Sequence, residues 1–311
     1  MKYLNEFLIT GGSGMVGNSF KKVLPDAIYV SSKDCNLTSQ EETSDLFLKH
    51  KPKYVIHLAA RVGGVMANMN NLGSFYYDNV MMNTNVLECS RVHGVKKLIS
   101  CLSTCIYPDK VEYPLSEDKI HLGPPHQSNY SYAYTKRMIE VQSRAYREQY
   151  GCDFICMSPN NLYGTHDNFD LENSHVIPAI IRKIYEAKLN NKKAIFWGDG
   201  TPLREFTYAD DIPEISLYLL ENYNNSSAIN VGNTKEISIK QVVDMVASYF
   251  NFDGEILWDT TKPMGQIRKP SDNSKFISLG WSNDRYTKFE IGLKETCKWF
   301  TINYPNVRGV N

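Results

Sequence analysis

The chain has 311 residues, 42% hydrophobic and 22% charged, with 34 Lys and Arg against 34 Asp and Glu for a formal net charge of zero. That length can bury one large core or two coupled smaller ones. Neutrality without a Lys/Arg-dense stretch leaves no electrostatic footprint for nucleic acid or an anionic membrane surface. No apolar run approaches the ~18 residues of a membrane span, and none near the start reads as a signal peptide. The seven cysteines, at 35, 89, 101, 105, 152, 156 and 297, contain no C-x-x-C, so neither a disulfide framework nor a zinc site is indicated. A cytoplasmic protein with a small-molecule partner and no metal is expected.

Apolar runs follow one another at 7–10 (FLIT), 27–30 (AIYV), 54–60 (YVIHLAA), 97–103 (KLISCLS) and 154–159 (FICMSP), separated by segments of helical character. Strands without polar alternation are those of a parallel sheet buried on both faces. Thr38 with Glu41, and Ser238 with Gln241, have the spacing of capping boxes at helix starts. The alternation predicts an α/β fold, a Rossmann-type doubly wound parallel sheet. Polar stretches rich in Gly, Pro and Asn in the second half (HDNFDLENSH, WGDGTPLREF, TTKPMGQIRKPSDNSK) predict a smaller α/β substrate lobe. The expected division is 1–161 with a return segment near 207–233, against 162–206 with 234–311.

Between the first strand and the next helix lies TGGSGMVG, with G-x-G-x-x-G at Gly12, Gly14 and Gly17 and G-x-x-G-x-x-G at Gly11, Gly14 and Gly17. In that context glycines let backbone N–H groups and a helix N-terminus approach a dinucleotide pyrophosphate. An NAD site usually ends its second strand on an acidic residue. Here that strand runs into Ser31, Ser32 and Lys33, two hydroxyls and a cation suited to a 2′-phosphate. The cofactor expected is NADP(H), with Asp34 close enough to keep NAD as a second option.

Tyr132 and Lys136 are spaced Y-x-x-x-K, one helical turn apart on one face. A cation beside a phenol of ordinary pKa ~10 is expected to lower it into the useful range. In a chain of 20 tyrosines that spacing alone says little. It gains weight from Ser103, after the fourth strand, where open α/β sheets bind ligands. A hydroxyl there can hold a carbonyl oxygen while Tyr132 protonates it and a hydride arrives from a nicotinamide.

The TGxxGxxG start, the serine after the fourth strand and the later YxxxK resemble the extended short-chain dehydrogenase/reductase family. HLAARVGG, STCIYPD, GPPHQSNYSYAYTKRM, NLYGTHDNF, SHVIPAIIRK and WGDGTPLREF resemble, across most of the chain, its branch of GDP-4-keto-6-deoxy-D-mannose 3,5-epimerase-4-reductases. The resemblance implies Cys105 and His175 as the epimerising acid–base pair. It implies cofactor contacts at Gly11, Gly12, Ser13, Gly14, Met15, Val16 and Gly17, at Ser32, Lys33, Asn36 and Leu37, at Ala59, Ala60, Leu102 and Ser103, and at Pro159, Asn160, Asn161, Leu162 and His175. Lys136 would bridge the nicotinamide ribose beside Tyr132. For the GDP-linked 4-keto sugar it implies Lys183, Trp197, Arg204 and Lys269, cations for a diphosphate and an aromatic beside base or ribose. It also implies a homodimer through helices near 80–93 and 132–149. Two departures stand out: Met264 replaces an acidic substrate contact, and Thr165 replaces the proline after NLYG.

Three functions therefore fit: a bifunctional epimerase-reductase making GDP-L-fucose, a reductase confined to C4 of a related substrate such as a GDP-4-keto-heptose, and a non-catalytic NADP-binding regulator.

Overall fold

A computed structural model describes residues 6–262 and 266–310. In chain order the elements are β1 (Phe7–Thr10), α1 (Met15–Val23), β2 (Ile28–Val30), α2 (Gln40–His50), β3 (Tyr54–His57), α3 (Val65–Asn70), α4 (Leu72–Val92), β4 (Lys97–Cys101), α5 (Tyr130–Tyr150), β5 (Phe154–Pro159), β6 (Asn161–Tyr163) and α6 (Val176–Leu189). There follow β7 (Ala194–Trp197), β8 (Leu203–Tyr208), α7 (Ile212–Asn222), β9 (Ile229–Val231), β10 (Glu236–Ser238), α8 (Ile239–Phe250), β11 (Ile256–Asp259), α9 (Ser274–Ser278) and α10 (Phe289–Asn303).

Six strands form one parallel sheet in the order β2-β1-β3-β4-β5-β9. The chain leaves β1 towards β2 on one side and resumes with β3 on the other, so a crevice opens beyond the carboxyl ends of β1 and β3. Alternate side chains serve opposite faces. Leu8, Val55, Leu98 and Phe154 enter a core with Val86, Leu87 and Ile139 of α4 and α5. Ile9, Ile56, Ile99 and Ile155 enter a second core with Phe20 of α1 and Ile212, Ile215 and Leu219 of α7. Burial on both faces explains why these strands lack polar alternation.

A third core gathers Ile177, Ile181 and Ile184 of α6, Val242, Val243 and Val246 of α8, and Leu293 and Phe300 of α10, with Phe206 and Tyr208 of β8. These flank a three-stranded sheet, β10-β8-β6, and a two-stranded one, β11-β7. The chain crosses between the modules repeatedly: β9 lies in the large sheet, and Phe276, Trp281 and Tyr286, beyond β11, pack in its core. That last return has no counterpart in the sequence division, because its apolar residues are too few and irregular to show a period.

Local signals are legible where the chemistry is local. Ser238 accepts from the Gln241 amide at 3.1 Å while Gln241 accepts from the Ser238 amide at 2.9 Å, closing the expected capping box of α8. The box expected at Thr38 and Glu41 does not form, and the cap falls one residue later. Ser39 caps α2 by accepting from the Glu42 amide, while Thr38 donates to the Asn36 side chain. Adjacent hydroxyls offer two registers, and the Asn36 turn selects the second.

Candidate active site

The glycine-rich turn leaves β1 with Gly11 at φ +72°, a left-handed conformation that favours glycine. A Cβ there would lie 2.9 Å from the Ala59 nitrogen, and one at Gly17 would lie 2.6 Å from the Gly11 carbonyl oxygen. The turn is thus pressed against the end of β3 and onto the first turn of α1, whose N-cap is Gly14 and whose leading amides are unbonded within the helix. Ser13, Met15 and Val16 border this cradle at least partly exposed. A backbone this close and this free of side chains fits a dinucleotide pyrophosphate.

Beyond β2 the Asp34 carboxylate accepts from the Ser31 amide at 2.8 Å and the Ser31 hydroxyl at 2.6 Å, bonds that hold it below the usual carboxylate range. Asp34 therefore closes its own turn, and Ser32 and Lys33, which follow β2 directly, are exposed. Asn36 is exposed; Leu37 is buried and its carbonyl accepts from Asn85 at 2.9 Å. Thr10, at the end of β1, accepts from the amides of Leu58 and Ala59 at 3.2 Å and bonds His57 at 2.8 Å. His57 reaches Asn83 of α4 at 3.0 Å, and Asn83 donates to the Thr135 carbonyl of α5. Burial pushes the His57 imidazole down to about 4, so it is neutral at physiological pH. No spacing in the sequence marks this relay; its one clue is polar residues ending apolar strands.

The catalytic candidates converge where β4 ends. Leu102 is buried, and the Ser103 hydroxyl accepts from the Cys105 amide at 3.4 Å, opening a 3-10 turn over Thr104–Ile106. Cys105, Tyr132 and Ala133 form one buried cluster with Ala60 against it. Lys136, one turn along α5, donates to the Cys101 carbonyl at 2.7 Å, its ammonium 5.8 Å from the Tyr132 ring centre.

The expected lowering of the Tyr132 phenol by Lys136 is not what this arrangement produces. Burial, with lesser contributions from Cys105 and Cys101, pushes the phenol well above its ordinary range, and burial lowers the Lys136 ammonium. Two desolvated groups each disfavour their charged form, and the lysine directs its proton to a carbonyl. Tyr132 is accordingly a phenol, a proton donor, in this state.

Cys105, 8% exposed, is pushed up by burial and pulled back chiefly by the Lys269 ammonium, then by Ser103 and Lys136. Burial lowers Lys269, with Cys105 opposing and Arg204 reinforcing that shift. One cation of the second module, Lys269, thus acts directly on the thiol, and Arg204 acts on Lys269. Arg204 is half-buried and donates to the Leu203 carbonyl at 2.7 Å. Lys183 and Trp197 lie further along that module: Lys183 donates to the Ile195 carbonyl at 3.0 Å, and Trp197 is 48% exposed on β7.

His175 stands exposed at the start of α6, on a loop that the Gly64 amide ties at Asn173, 2.8 Å away. The structure leaves it exposed there and does not bring it into bonding contact with Cys105. Buried Asp167 lies near enough for His175 to oppose the rise that burial imposes on its carboxyl. Pro159 ends β5 and Leu162 is half-buried. Asn161 donates to the Glu205 carbonyl, and buried Asn160 is engaged by Thr207 at 2.6 Å and Asn233 at 2.9 Å. Met264 lies outside the described residues. Among the described residues no His, Cys, Asp or Glu cluster is placed to hold a metal ion, and no helix is long and apolar enough to cross a membrane.

The doubly wound sheet, the glycine cradle at its switch point and Ser103, Tyr132 and Lys136 at the end of β4 define an extended short-chain dehydrogenase/reductase. A model of the "NAD dependent epimerase/dehydratase family" matches residues 7–232. The chain is 44% identical to a GDP-L-fucose synthase of Dictyostelium discoideum, covering 97% of each chain. It is 39% identical to a probable GDP-L-fucose synthase of Drosophila melanogaster, over 98% of this chain and 100% of that one. A GDP-L-fucose synthetase of Naegleria fowleri bound to NADP superposes with a TM-score of 0.92 at 42% identity, over 97% of this chain and 94% of that one. The chain belongs to the NAD dependent epimerase/dehydratase family, in its GDP-L-fucose synthase branch.

The electrostatic link between Lys269 and Cys105 yields a direct expectation. A thiol pushed above its ordinary value is protonated at neutral pH and yields thiolate only as pH rises. Lys269→Met removes the largest opposing influence, so alkylation of Cys105 by iodoacetamide at mildly alkaline pH, followed on its own peptide by mass spectrometry, slows severalfold. Equal or faster alkylation would contradict the coupling.

Proposed function

We propose that the chain is an NADP(H)-dependent epimerase-reductase converting GDP-4-keto-6-deoxy-D-mannose to GDP-L-fucose. The observation that carries this reading is Cys105 packed against Tyr132 at the end of β4, with Ser103 and Lys136 beside them: proton-transfer and carbonyl-reducing groups share one crevice. A 4-keto group acidifies the protons on C3 and C5, so inversion at each needs one group to remove a proton and another to return one to the opposite face. Cys105 and His175 take those roles, and Cys105, a thiol at neutral pH, serves first as donor. Ser103 then holds the C4 oxygen while Tyr132 supplies its proton and the Lys136 ammonium stabilises the phenolate left behind. The nicotinamide of NADPH, when bound, supplies the hydride. Arg204 and Lys269 take the diphosphate, Lys183 supports that grip, and Trp197 lies beside base or ribose.

In this reading residues 1–161 with 207–233 hold the cofactor, and 162–206 with 234–311 hold the nucleotide sugar. Exposed apolar residues on α4 and α5, among them Tyr77 and Met138, supply the surface for a homodimer. Seven unpaired cysteines suit a reducing cytoplasm, a location that cell fractionation checks. A second reading, reduction at C4 alone of a GDP-4-keto-heptose, draws support from a Campylobacter jejuni GDP-6-OMe-4-keto-L-xylo-heptose reductase that superposes with a TM-score of 0.89 at 28% identity, over 97% of this chain and 99% of that one.

Incubation with GDP-4-keto-6-deoxy-D-mannose in deuterated water without NADPH should place deuterium at C3 and C5; a substrate recovered without label would rule out epimerisation of that substrate. Tyr132→Phe should lower kcat for NADPH oxidation by about two orders of magnitude or more while exchange persists. Lys33→Glu should shift the NADPH over NADH preference about tenfold towards NADH, and an unchanged preference would remove Lys33 from the cofactor site. Sedimentation should return a dimer that Tyr77→Glu/Met138→Glu dissociates; a monomeric wild type would rule that assembly out.

A further inference from the structure

Glu205 is a carboxylate 2% exposed within β8, and its bonded partners are neutral. The Ser271 amide donates to its two oxygens at 3.0 and 3.1 Å, the Ser271 hydroxyl donates at 2.5 Å, and the Asn160 carboxamide approaches at 3.4 Å. Burial pushes its carboxyl up, so these donors offset a real desolvation cost. A neutral residue could fill the same space without that cost, which makes the joint that the carboxylate creates the matter of interest.

The joint ties three pieces of the site together. Ser271 belongs to a strap whose Pro270 carbonyl accepts from Leu115 at 2.8 Å and whose Asp272 amide donates back to Leu115 at 2.9 Å, on the loop that follows the Cys105 turn. Asn160 and Asn161 belong to the segment expected to meet the cofactor, and Asn161 donates to the Glu205 carbonyl at 2.8 Å. The residue beside Glu205 is Arg204, and two residues before Ser271 is Lys269. These two cations oppose each other, since Arg204 disfavours the charged form of Lys269, so their proximity must be held by something else.

We propose that Glu205 is a positioning residue for the nucleotide diphosphate: by clamping Ser271 to β8 it holds Arg204 and Lys269 at the separation that lets both take one diphosphate. This rests on the reading above in which those two cations bind the diphosphate. Glu205 touches neither substrate nor cofactor; it acts through the strap.

GDP binding by calorimetry, NADPH binding by fluorescence and steady-state kinetics on the full chain separate the possibilities. Glu205→Gln keeps the shape but turns an amide donor towards Ser271. It should weaken GDP about tenfold or more and raise KM for the keto sugar in parallel, with kcat and NADPH affinity within about twofold. Ser271→Ala, which removes one bond of the clamp, should weaken GDP about threefold, and the double variant should be no worse than Glu205→Gln alone. Unchanged GDP affinity in either variant overturns the proposal; Ser271→Ala decides if Glu205→Gln does not fold. GDP and NADPH affinities falling together would mark a general support of the fold and overturn it too. A wild-type chain that binds UDP and not GDP would remove the guanine assignment made above, and the same comparison then runs on UDP.

Discussion

Lys136 is 2% exposed, and its ammonium hydrogen-bonds the Cys101 carbonyl at 2.7 Å where β4 gives way to the catalytic turn. A cation held that deep in protein acts on several titratable neighbours: it helps keep His57 neutral and favours the thiolates of Cys101, Cys105 and Cys156. Desolvation is nonetheless the first cause of each of those shifts, and of its own. The crevice is organised by low dielectric first and by pairwise attraction second. Such a site keeps Tyr132 and Cys105 protonated until a ligand changes their surroundings, the state from which each can donate a proton.

The same cation anchors the rigidity that the chemistry requires. α5 carries Tyr132 and Lys136 across the end of the sheet, and the chain of Thr10, His57, Asn83 and the Thr135 carbonyl connects that helix to the glycine turn. The cofactor cradle and the proton-donating helix are therefore two ends of one buried hydrogen-bonded path. Buried polar paths specify geometry because any break leaves an unpaired group in a dry interior. Arg204 and Lys269 arrive from different segments of the second module, and Glu205, Ser271 and Leu115 stitch those segments together.

Features governed by near neighbours were readable directly. The apolar runs at 7–10 and 154–159 coincide with β1 and β5, and Ser238 with Gln241 closes its box as spaced. The runs at 54–60 and 97–103 end early as strands, at His57 and Cys101, because their last residues turn outward to build the site. Ser103, Tyr132 and Lys136 were visible as a pattern, while Cys105, His175, Arg204 and Lys269 rested on family resemblance, since a lone residue has no period to betray it. Ser39 in place of Thr38, and Asp34 folded back on Ser31, were decided by a few hydrogen bonds among residues of equal propensity.

Sequence by itself determined the doubly wound parallel sheet, the glycine cradle and the type of chemistry, because backbone sterics and two-faced burial leave few residue patterns that satisfy them. Tertiary structure alone decided the protonation preferences and the partnerships. Whether Tyr132 is lowered by a neighbouring lysine or raised by burial depends on which groups are shut away from water together. Whether Lys269 meets Cys105 depends on a strap more than 150 residues further along the chain returning to the end of β4. Desolvation and long-range approach are properties of packing, and no local pattern encodes them.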